Sequence, residues 1–184
     1  FLMKTTNKGD TWSQIALDFP YDLHSFQFVS PLVGYAFTLY GGIYKTINGA
    51  QSWQQQILNS HGYSLHFGIM NTSLIGWAVG DNGLIYRTEN GGMDWIIQTK
   101  GVMDNLNSVC FFAPSVYCAA GLNGTIIKST DFGNTWEKKN SNTSENLFGI
   151  YFKDSFNGWA VGNNGVIIYS SDGGNNWAQT TSNI

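Results

Sequence analysis

Ser129-Thr130-Asp131-Phe132-Gly133-Asn134-Thr135-Trp136 is the stretch of sequence that decides the fold, because variants of it recur at a fixed interval. Five tryptophans close these variants, spaced 41, 42, 41 and 41 residues apart: Trp12, Trp53, Trp95, Trp136 and Trp177. A second motif keeps the same period, since Gly76-Trp77-Ala78-Val79-Gly80 recurs as Gly158-Trp159-Ala160-Val161-Gly162. Two motifs in phase over the whole chain predict a repeat protein built from one supersecondary unit.

The segments between these motifs read as short strands. They are runs of four to six residues rich in Val, Ile, Thr and aromatics, such as 147–152 and 166–170, and Gly and Asn separate them. No stretch keeps an apolar period of 3.6 residues, which argues against a helical array. Each repeat is therefore predicted to be four antiparallel strands, and the fold class is all-β, a β-propeller of four-stranded blades.

The composition excludes several classes of protein. Among 184 residues, 15% are aromatic and 11% are charged, and the formal net charge is −3. Abundant aromatics can offset the entropy of ordering, which argues against disorder. No run of about 18 apolar residues exists, so no membrane span is expected. Nine scattered Lys and Arg residues form no basic patch, so nucleic acid is not an expected partner.

The repeat arithmetic gives four complete blades and a remainder. With the box between the third and fourth strands, a half blade covers 1–22, and blades follow at about 23–63, 64–105, 106–146 and 147–184 within a single propeller domain or a fragment of one. A half blade exposes an unpaired strand edge. We favour a segment of a larger ring with further blades upstream. The alternative is a second copy or a partner that completes the sheet, which a solution mass well above 20.3 kDa would support.

The recurring octapeptide is similar to the Asp box, also called the bacterial neuraminidase repeat. Its Asp position is filled, in order along the chain, by Asn7, Asn48, Asn90, Asp131 and Asp172. Together with the Gly-Trp-Ala-Val-Gly motif, the repeat resembles the family of photosystem II assembly and stability factors. That resemblance implies a propeller of the thylakoid lumen or periplasm that binds a protein client. It therefore implies an extracytoplasmic scaffold, although the arginine patch through which that family binds its client has no counterpart here.

The box residues have a structural explanation. An Asp or Asn side chain can accept hydrogen bonds from backbone N–H groups two or three residues on, which closes a turn. Glycine at the fifth position accepts a positive φ, and the second box departs from this with Ala50. The closing tryptophan is expected to bury a large apolar area in the blade.

Catalytic chemistry finds little support in the sequence. A sialidase needs three arginines on the substrate carboxylate, and Arg87 is the only arginine of the chain. No carboxylate pair is identifiable by spacing, and His24 and His66, one period apart, form no ligand pattern. Cys110 and Cys118 either bridge a hairpin or remain two buried thiols. We therefore predict no catalytic residue, no cofactor and no metal.

Function is then expected on a surface. The turns between second and third strands and the connections between blades gather on one propeller face, which is rich in amides and nearly uncharged. Such a face suits hydrogen bonding and stacking with a protein or a glycan. The hypothesis is a non-catalytic binding or scaffold module with a protein partner. The alternatives are a glycan-binding or glycoside-hydrolase-related propeller and a purely structural array. The candidate binding residues are Tyr40, Tyr63, Asp81, Asn82, Asn123, Asn163 and Asn164.

Overall fold

A computed structural model of the chain describes residues 2–57, 62–98 and 101–180. Within these ranges the chain forms one two-stranded and four four-stranded antiparallel sheets, each meandering in sequence order. We call the two-stranded sheet the half blade and the others blades 1 to 4. The half blade is β1 (Leu2–Lys4) and β2 (Ser13–Ile15). Blade 1 is β3 (Leu23–Phe28), β4 (Gly34–Thr38), β5 (Ile43–Thr46) and β6 (Gln54–Ile57). Blade 2 is β7 (Leu65–Met70), β8 (Gly76–Gly80), β9 (Ile85–Thr88) and β10 (Ile96–Ile97). Blade 3 is β11 (Leu106–Ala113), β12 (Val116–Gly121), β13 (Ile126–Ser129) and β14 (Glu137–Lys139). Blade 4 is β15 (Leu147–Phe152), β16 (Gly158–Gly162), β17 (Ile167–Ser170) and β18 (Ala178–Gln179).

The predicted all-β class and the blade count of four and a half are confirmed. In each complete blade the box lies between the third and fourth strands, and the first box lies between the two strands of the half blade, as the repeat predicts. A 3-10 turn joins the second strand to the third in all four complete blades. The first strands of successive blades contact one another in chain order, which places them on the inner side of the array.

The core lies between the sheets rather than within one sheet. Each buried cluster combines residues of two successive sheets: Phe37 of blade 1 packs with Trp95 of blade 2, and Trp77 of blade 2 packs with Trp136 of blade 3. The period of two in each strand explains this, because alternate side chains face the preceding and the following blade. Burial of these rings is the main contribution to blade stacking.

One packing expectation fails at the first box. Four of the box tryptophans are at most 9% exposed, but Trp12 is 56% exposed. A box tryptophan packs toward the preceding sheet, and no sheet precedes the half blade among the described residues. At the other end of the array, Val161 and Tyr151 of blade 4 are exposed. Val161 holds the position in blade 4 that the buried Val79 holds in blade 2.

Two further predictions concern single features. Cys110 and Cys118 lie opposite each other on β11 and β12. Both are buried free thiols, so of the two alternatives the structure has the one without a disulfide. Across the described residues, no helix has the length and hydropathy needed to span a bilayer.

Candidate functional site

The turn face is formed by the 3-10 turns and the connections that precede each first strand. In every complete blade the N–H that opens the turn donates to the carbonyl of the residue just before the first strand. These bonds are Leu39 N to Asp22 O, Asp81 N to Ser64 O, Leu122 N to Asn105 O and Asn163 N to Asn146 O, all between 2.9 and 3.0 Å. The predicted convergence of these loops is therefore present in the structure.

Asparagine side chains join the turn face of one blade to the next. The backbone N–H of Asn82 donates to Asn105 Oδ1 at 2.9 Å, and that of Asn123 donates to Asn146 Oδ1 at 3.0 Å. In both cases the acceptor belongs to the connection that leads into the following blade. Asn82 and Asn123 are thus engaged through their backbone in holding the face together.

Asp81 is held by several partners. It accepts hydrogen bonds from Ser64 N at 2.9 Å and from Asn105 Nδ2 at 2.7 Å, and His66 Nε2 lies 2.8 Å from Oδ1. Burial favours the neutral acid, but the Ser64 N–H and His66 outweigh it and lower the pKa of Asp81. The ionised Asp81 side chain therefore links the turn of blade 2 to the connections before blades 2 and 3. Both of its carboxylate oxygens already have partners, so fewer of their hydrogen-bonding positions are free for a ligand than the sequence suggested.

His24 and His66 occupy the same bulged position of their first strands, where the ladder skips one residue. Their rings are stacked, with centroids 5.5 Å apart, and His24 Nδ1 donates to Leu65 O at 2.9 Å. In blade 3 Asn107 has this position and donates to Leu147 O at 2.8 Å. Because a bulge redirects its side chain, the period-matched histidines serve inter-blade contacts. Within the described ranges no group of three or more His, Cys, Asp or Glu could hold a metal ion.

The remaining turn-face amides contact acids of neighbouring connections. Asn123 Nδ2 donates to Asp104 Oδ1 at 2.9 Å, and Asn164 Nδ2 donates to Glu145 Oε2 at 3.0 Å. Hydrogen bonds from Asn123 and Thr125 lower the pKa of Asp104. Asn163 supplies the turn-opening N–H of blade 4 described above. Asp104 and Glu145 thus add two negative charges that the sequence-based list of the face left out.

Tyr40 stands apart from the other turn residues. It has φ 61° and ψ 20°, a left-handed conformation that Asn82, Asn123 and Asn164 share at the matching position. Asparagine tolerates this region, whereas a bulky residue there costs about 1–2 kcal/mol. Tyr40 is nevertheless 50% exposed and meets the Tyr21 ring edge-on at 5.5 Å. Tyr40 is therefore an exposed aromatic in a strained conformation on the turn face, which makes it the candidate contact residue there.

Tyr63 differs from Tyr40 in its environment. Its ring is half-buried and packs against the cluster between blades 1 and 2. It belongs to the same connection as Ser64, whose carbonyl receives the Asp81 N–H. Tyr63 therefore lies at the predicted face, but part of its apolar surface serves the core.

The five Asp boxes share one hydrogen-bonding scheme. The first-position hydroxyl accepts the fifth-position N–H, at 2.9 Å for Gly9 to Thr5 and 3.0 Å for Ala50 to Thr46. The Asp or Asn oxygen accepts an N–H four residues on, as in Thr135 to Asp131 at 2.9 Å. The expected reach of two or three residues holds only in the fifth box, where Asp172 also accepts the Asn175 N–H at 3.0 Å. In the other boxes the oxygen reaches four residues on, because the hydroxyl takes the nearer N–H groups.

The side chain four residues after the Asp or Asn of the box forms a donor–acceptor pair with it. Asp131 accepts from Thr135 Oγ1 at 2.6 Å, and these bonds lower its pKa to about 2. In the third box the roles are exchanged, since Asn90 Nδ2 donates to Asp94 Oδ2 at 2.8 Å. The three Asn boxes therefore retain the hydrogen-bonded turn.

A cation before each of the first four boxes ties it to the next blade. Lys45 Nζ donates to Gly91 O at 2.7 Å, and Lys128 Nζ donates to Asn175 Oδ1 at 3.0 Å. Arg87 holds the same position, donates to Asn134 Oδ1 at 3.0 Å and lies over the Trp77 ring. The only arginine of the chain is thus part of a blade junction.

Comparisons with known proteins identify the architecture. Residues 104–170, somewhat more than a third of the chain, match the family model of the photosynthesis system II assembly factor YCF48. YCF48 from Cyanidioschyzon merolae superposes with a TM-score of 0.76 at 17% identity, over 97% of this chain and 63% of that one. The chain has a β-propeller fold. It resembles the YCF48 assembly factors in its repeat motifs and in its fold.

Two other solved structures share the fold. A YCF48 bound to D1 peptide superposes with a TM-score of 0.59 at 17% identity, over 88% of this chain and 69% of that one. An ancestral GH74 enzyme gives 0.80 at 18% identity, but this chain covers only 28% of it. Identities this low support the propeller fold alone. No curated protein sequence matches the chain significantly.

Proposed function

We propose that this chain is a non-catalytic binding module that mediates protein–protein interaction or complex assembly in the manner of the photosystem II assembly factors. The observation that carries the proposal is Tyr40, an exposed and strained aromatic on a turn face otherwise held together by its own amides. The YCF48 family match and the relative bound to D1 peptide support a polypeptide as the partner. We further propose an extracytoplasmic location, by the resemblance to that family.

The lowered pKa values of several carboxyl groups support a non-catalytic role. A glycosidase acid must keep a raised pKa in order to be protonated at neutral pH. Here, hydrogen bonds and nearby cations lower the pKa of six carboxyl groups: Asp81, Asp104, Asp131, Glu137, Asp154 and Asp172. The fold shared with the GH74 enzyme makes glycan binding the competing hypothesis for the same face.

The experiment compares two matched exposed aromatics in left-handed conformation. Tyr40→Asn installs the residue that three other turns carry, and Phe132→Gly installs the residue that three other boxes carry at that position. Phe132 is 45% exposed but lies at the box end of its blade. Binding of a D1 peptide and of a panel of extended peptides is measured by titration calorimetry, alongside xyloglucan oligosaccharides.

We expect Tyr40→Asn to weaken peptide binding at least tenfold and to leave thermal stability unchanged or slightly raised. Phe132→Gly should leave binding intact. Failure of the D1 peptide alone would remove the photosystem-specific role. Binding or cleavage of the oligosaccharides, with no peptide bound, would overturn the proposal in favour of a glycan function.

A further inference from the structure

The two cysteines of the chain form one cross-strand pair. Cys110 lies directly opposite Cys118 in the ladder between β11 and β12, and the sequence has no other cysteine. Directly opposite residues of an antiparallel pair have Cα atoms about 4.5–5.5 Å apart, within the range of about 4.4–6.8 Å that disulfides span. Both side chains belong to the buried cluster between blades 3 and 4, so both leave the sheet on the same face. The backbone therefore already has the spacing that a disulfide needs.

The other blades carry larger residues at these two positions. The matching cross-strand pairs are Gln27 and Tyr35 in blade 1, Ile69 and Trp77 in blade 2, and Tyr151 and Trp159 in blade 4. Blade 3 thus departs from the repeat at both members of one contact pair, and both departures are cysteine. Facing thiols are what disulfide chemistry requires, whereas packing alone gives no reason for two cysteines in the same register.

Blade 4 covers the pair. Cys118 is fully buried and Cys110 is 7% exposed. Gly174 of the fifth box approaches so closely that an added Cβ would lie 3.2 Å from Cys118 Sγ. Lys128, opposite Cys118 on β13, donates from Nζ to Asn175 Oδ1 of the same box at 3.0 Å. An oxidant in solution therefore reaches the sulfurs only before blade 4 packs or after it separates.

The packed junction also suppresses the reactivity of the thiols. Burial raises the pKa of Cys110 to about 12 and also raises that of Cys118, where the opposing effect of Lys128 and Lys139 is smaller. The thiolate is the form that attacks a disulfide, so the packed pair is inert. When blade 4 is absent the effect of burial ends, but Lys128 still lies beside Cys118 in the sheet of blade 3. Cys118 is then the more reactive of the two thiols.

We propose that Cys110 and Cys118 are a disulfide-forming pair, which is oxidised by thiol–disulfide exchange during folding while blade 3 is uncovered and is then sealed by blade 4. The structure holds the reduced form of the pair. The oxidant is another disulfide, carried by a small molecule or by a protein. This site involves none of the turn face and goes beyond the proposed function.

The exchange takes two steps. The Cys118 thiolate attacks the external disulfide, which forms a mixed disulfide and releases one thiolate. The Cys110 thiolate then attacks the Cys118 sulfur of the mixed disulfide, which forms the bridge and releases the second thiolate. The two protons lost by the cysteines pass to the released thiolates. The chain is thus oxidised by two electrons, and the external disulfide is reduced to two thiols.

Refolding with glutathione disulfide tests when the bridge forms. The reduced chain is diluted from urea into this oxidant, a sample that is already folded receives the same oxidant, and both are alkylated and analysed by mass spectrometry. We expect the refolding sample to give a monomer with an internal bridge, formed at least about tenfold faster than in the folded sample. The finished bridge should resist dithiothreitol until urea is added.

Variants test the order of attack and the fit of the bridge. During refolding with glutathione disulfide, Cys110→Ala, which keeps Cys118, should form a mixed disulfide faster than Cys118→Ala. Oxidation should raise the Tm of the unmodified sequence by about 5–10 °C, because closing a loop of about nine residues restricts the unfolded chain. The double variant Cys110→Ala and Cys118→Ala should show no such response to the oxidant.

The proposal is overturned if the refolded chain stays reduced, carries only mixed disulfides, or bridges two copies. It is also overturned if the bridged chain melts no higher than the reduced chain, since the backbone would then lack the required spacing. Equal oxidation rates of the folded and refolding samples would refute sealing by blade 4, and equal rates for the two single variants would refute the order of attack. Peptide binding enters none of these measurements, so a failure here is distinguishable from a failure of the proposed function.

Discussion

The stacking of blades through box tryptophans makes a quantitative prediction for one pair of variants. Trp136→Ala and Trp12→Ala make the same chemical change at the same position of the repeat. Trp136 is 9% exposed and meets the Trp77 ring edge-on, with centroids 6.1 Å apart. Trp12 is 56% exposed because no blade precedes its sheet among the described residues.

The expected magnitudes follow from the buried area. A buried aromatic side chain removes about 150–250 Å² from water, which at about 25 cal/mol per Å² is an upper bound of about 4–6 kcal/mol. Trp→Ala in a core costs about 3–5 kcal/mol, so we expect this for Trp136. Trp12 keeps less than half of its surface in contact, which predicts a loss of about 1–2 kcal/mol in the free energy of unfolding.

Urea denaturation followed by circular dichroism measures the difference. A repeat array can unfold in parts, so tryptophan fluorescence must give coincident transitions before the free energies are compared. Equal losses for the two variants would refute the reasoning, because they would show that the box tryptophan stabilises its own turn and not the junction with the preceding blade.

Three more outcomes are expected. Asn90→Asp should destabilise the fold by about 1–2 kcal/mol, because it replaces a hydrogen bond to Asp94 with like charges, and adding Asp94→Thr should restore stability in urea titrations. Gly133→Ala should cost about 2–4 kcal/mol by the same measurement, because it adds a methyl group against a buried ring at positive φ. Burial raises the pKa of Cys110 to about 12 and also raises that of Cys118. A thiol reagent should therefore react only after unfolding, and stability should fall as the pH rises from about 8.5, the unfolded thiol pKa, toward 12.

Each of these outcomes has a contradicting result. An Asp94→Thr change that fails to rescue Asn90→Asp would show that polarity matching does not hold the third box. A tolerated Gly133→Ala would contradict the close approach of the neighbouring blade. Rapid labelling of the native thiols would contradict their burial.

The sequence predicts the fold well because the same strand and turn pattern recurs in every repeat. The five tryptophans fix the period, and the Gly and Asn positions fix the turns, so the blade boundaries follow by counting. Trp12 shows where this fails, since the same box position has a different exposure when no sheet precedes it among the described residues. Burial between blades depends on the next sheet, which the local sequence does not describe.

The candidate site was less predictable for a similar reason. Asn82, Asn123 and Asn164 lie in the turns of the complete blades, but partners from the next connection decide how much of each residue is free to contact a ligand. The connections that hold Asp104 and Glu145 were predicted to lie on this face, but the two acids were not among the candidate residues because the face was expected to be nearly uncharged. Tyr40 could have been distinguished from the sequence, since it replaces Asn at a position that the other turns keep.

The contact of Tyr40 with a polypeptide is the central claim, and titration calorimetry on the matched variants Tyr40→Asn and Phe132→Gly tests it most directly. We predict that Tyr40→Asn weakens binding of the D1 peptide at least tenfold and that Phe132→Gly leaves the affinity unchanged. Equal affinities of the two variants for the peptide would contradict the account.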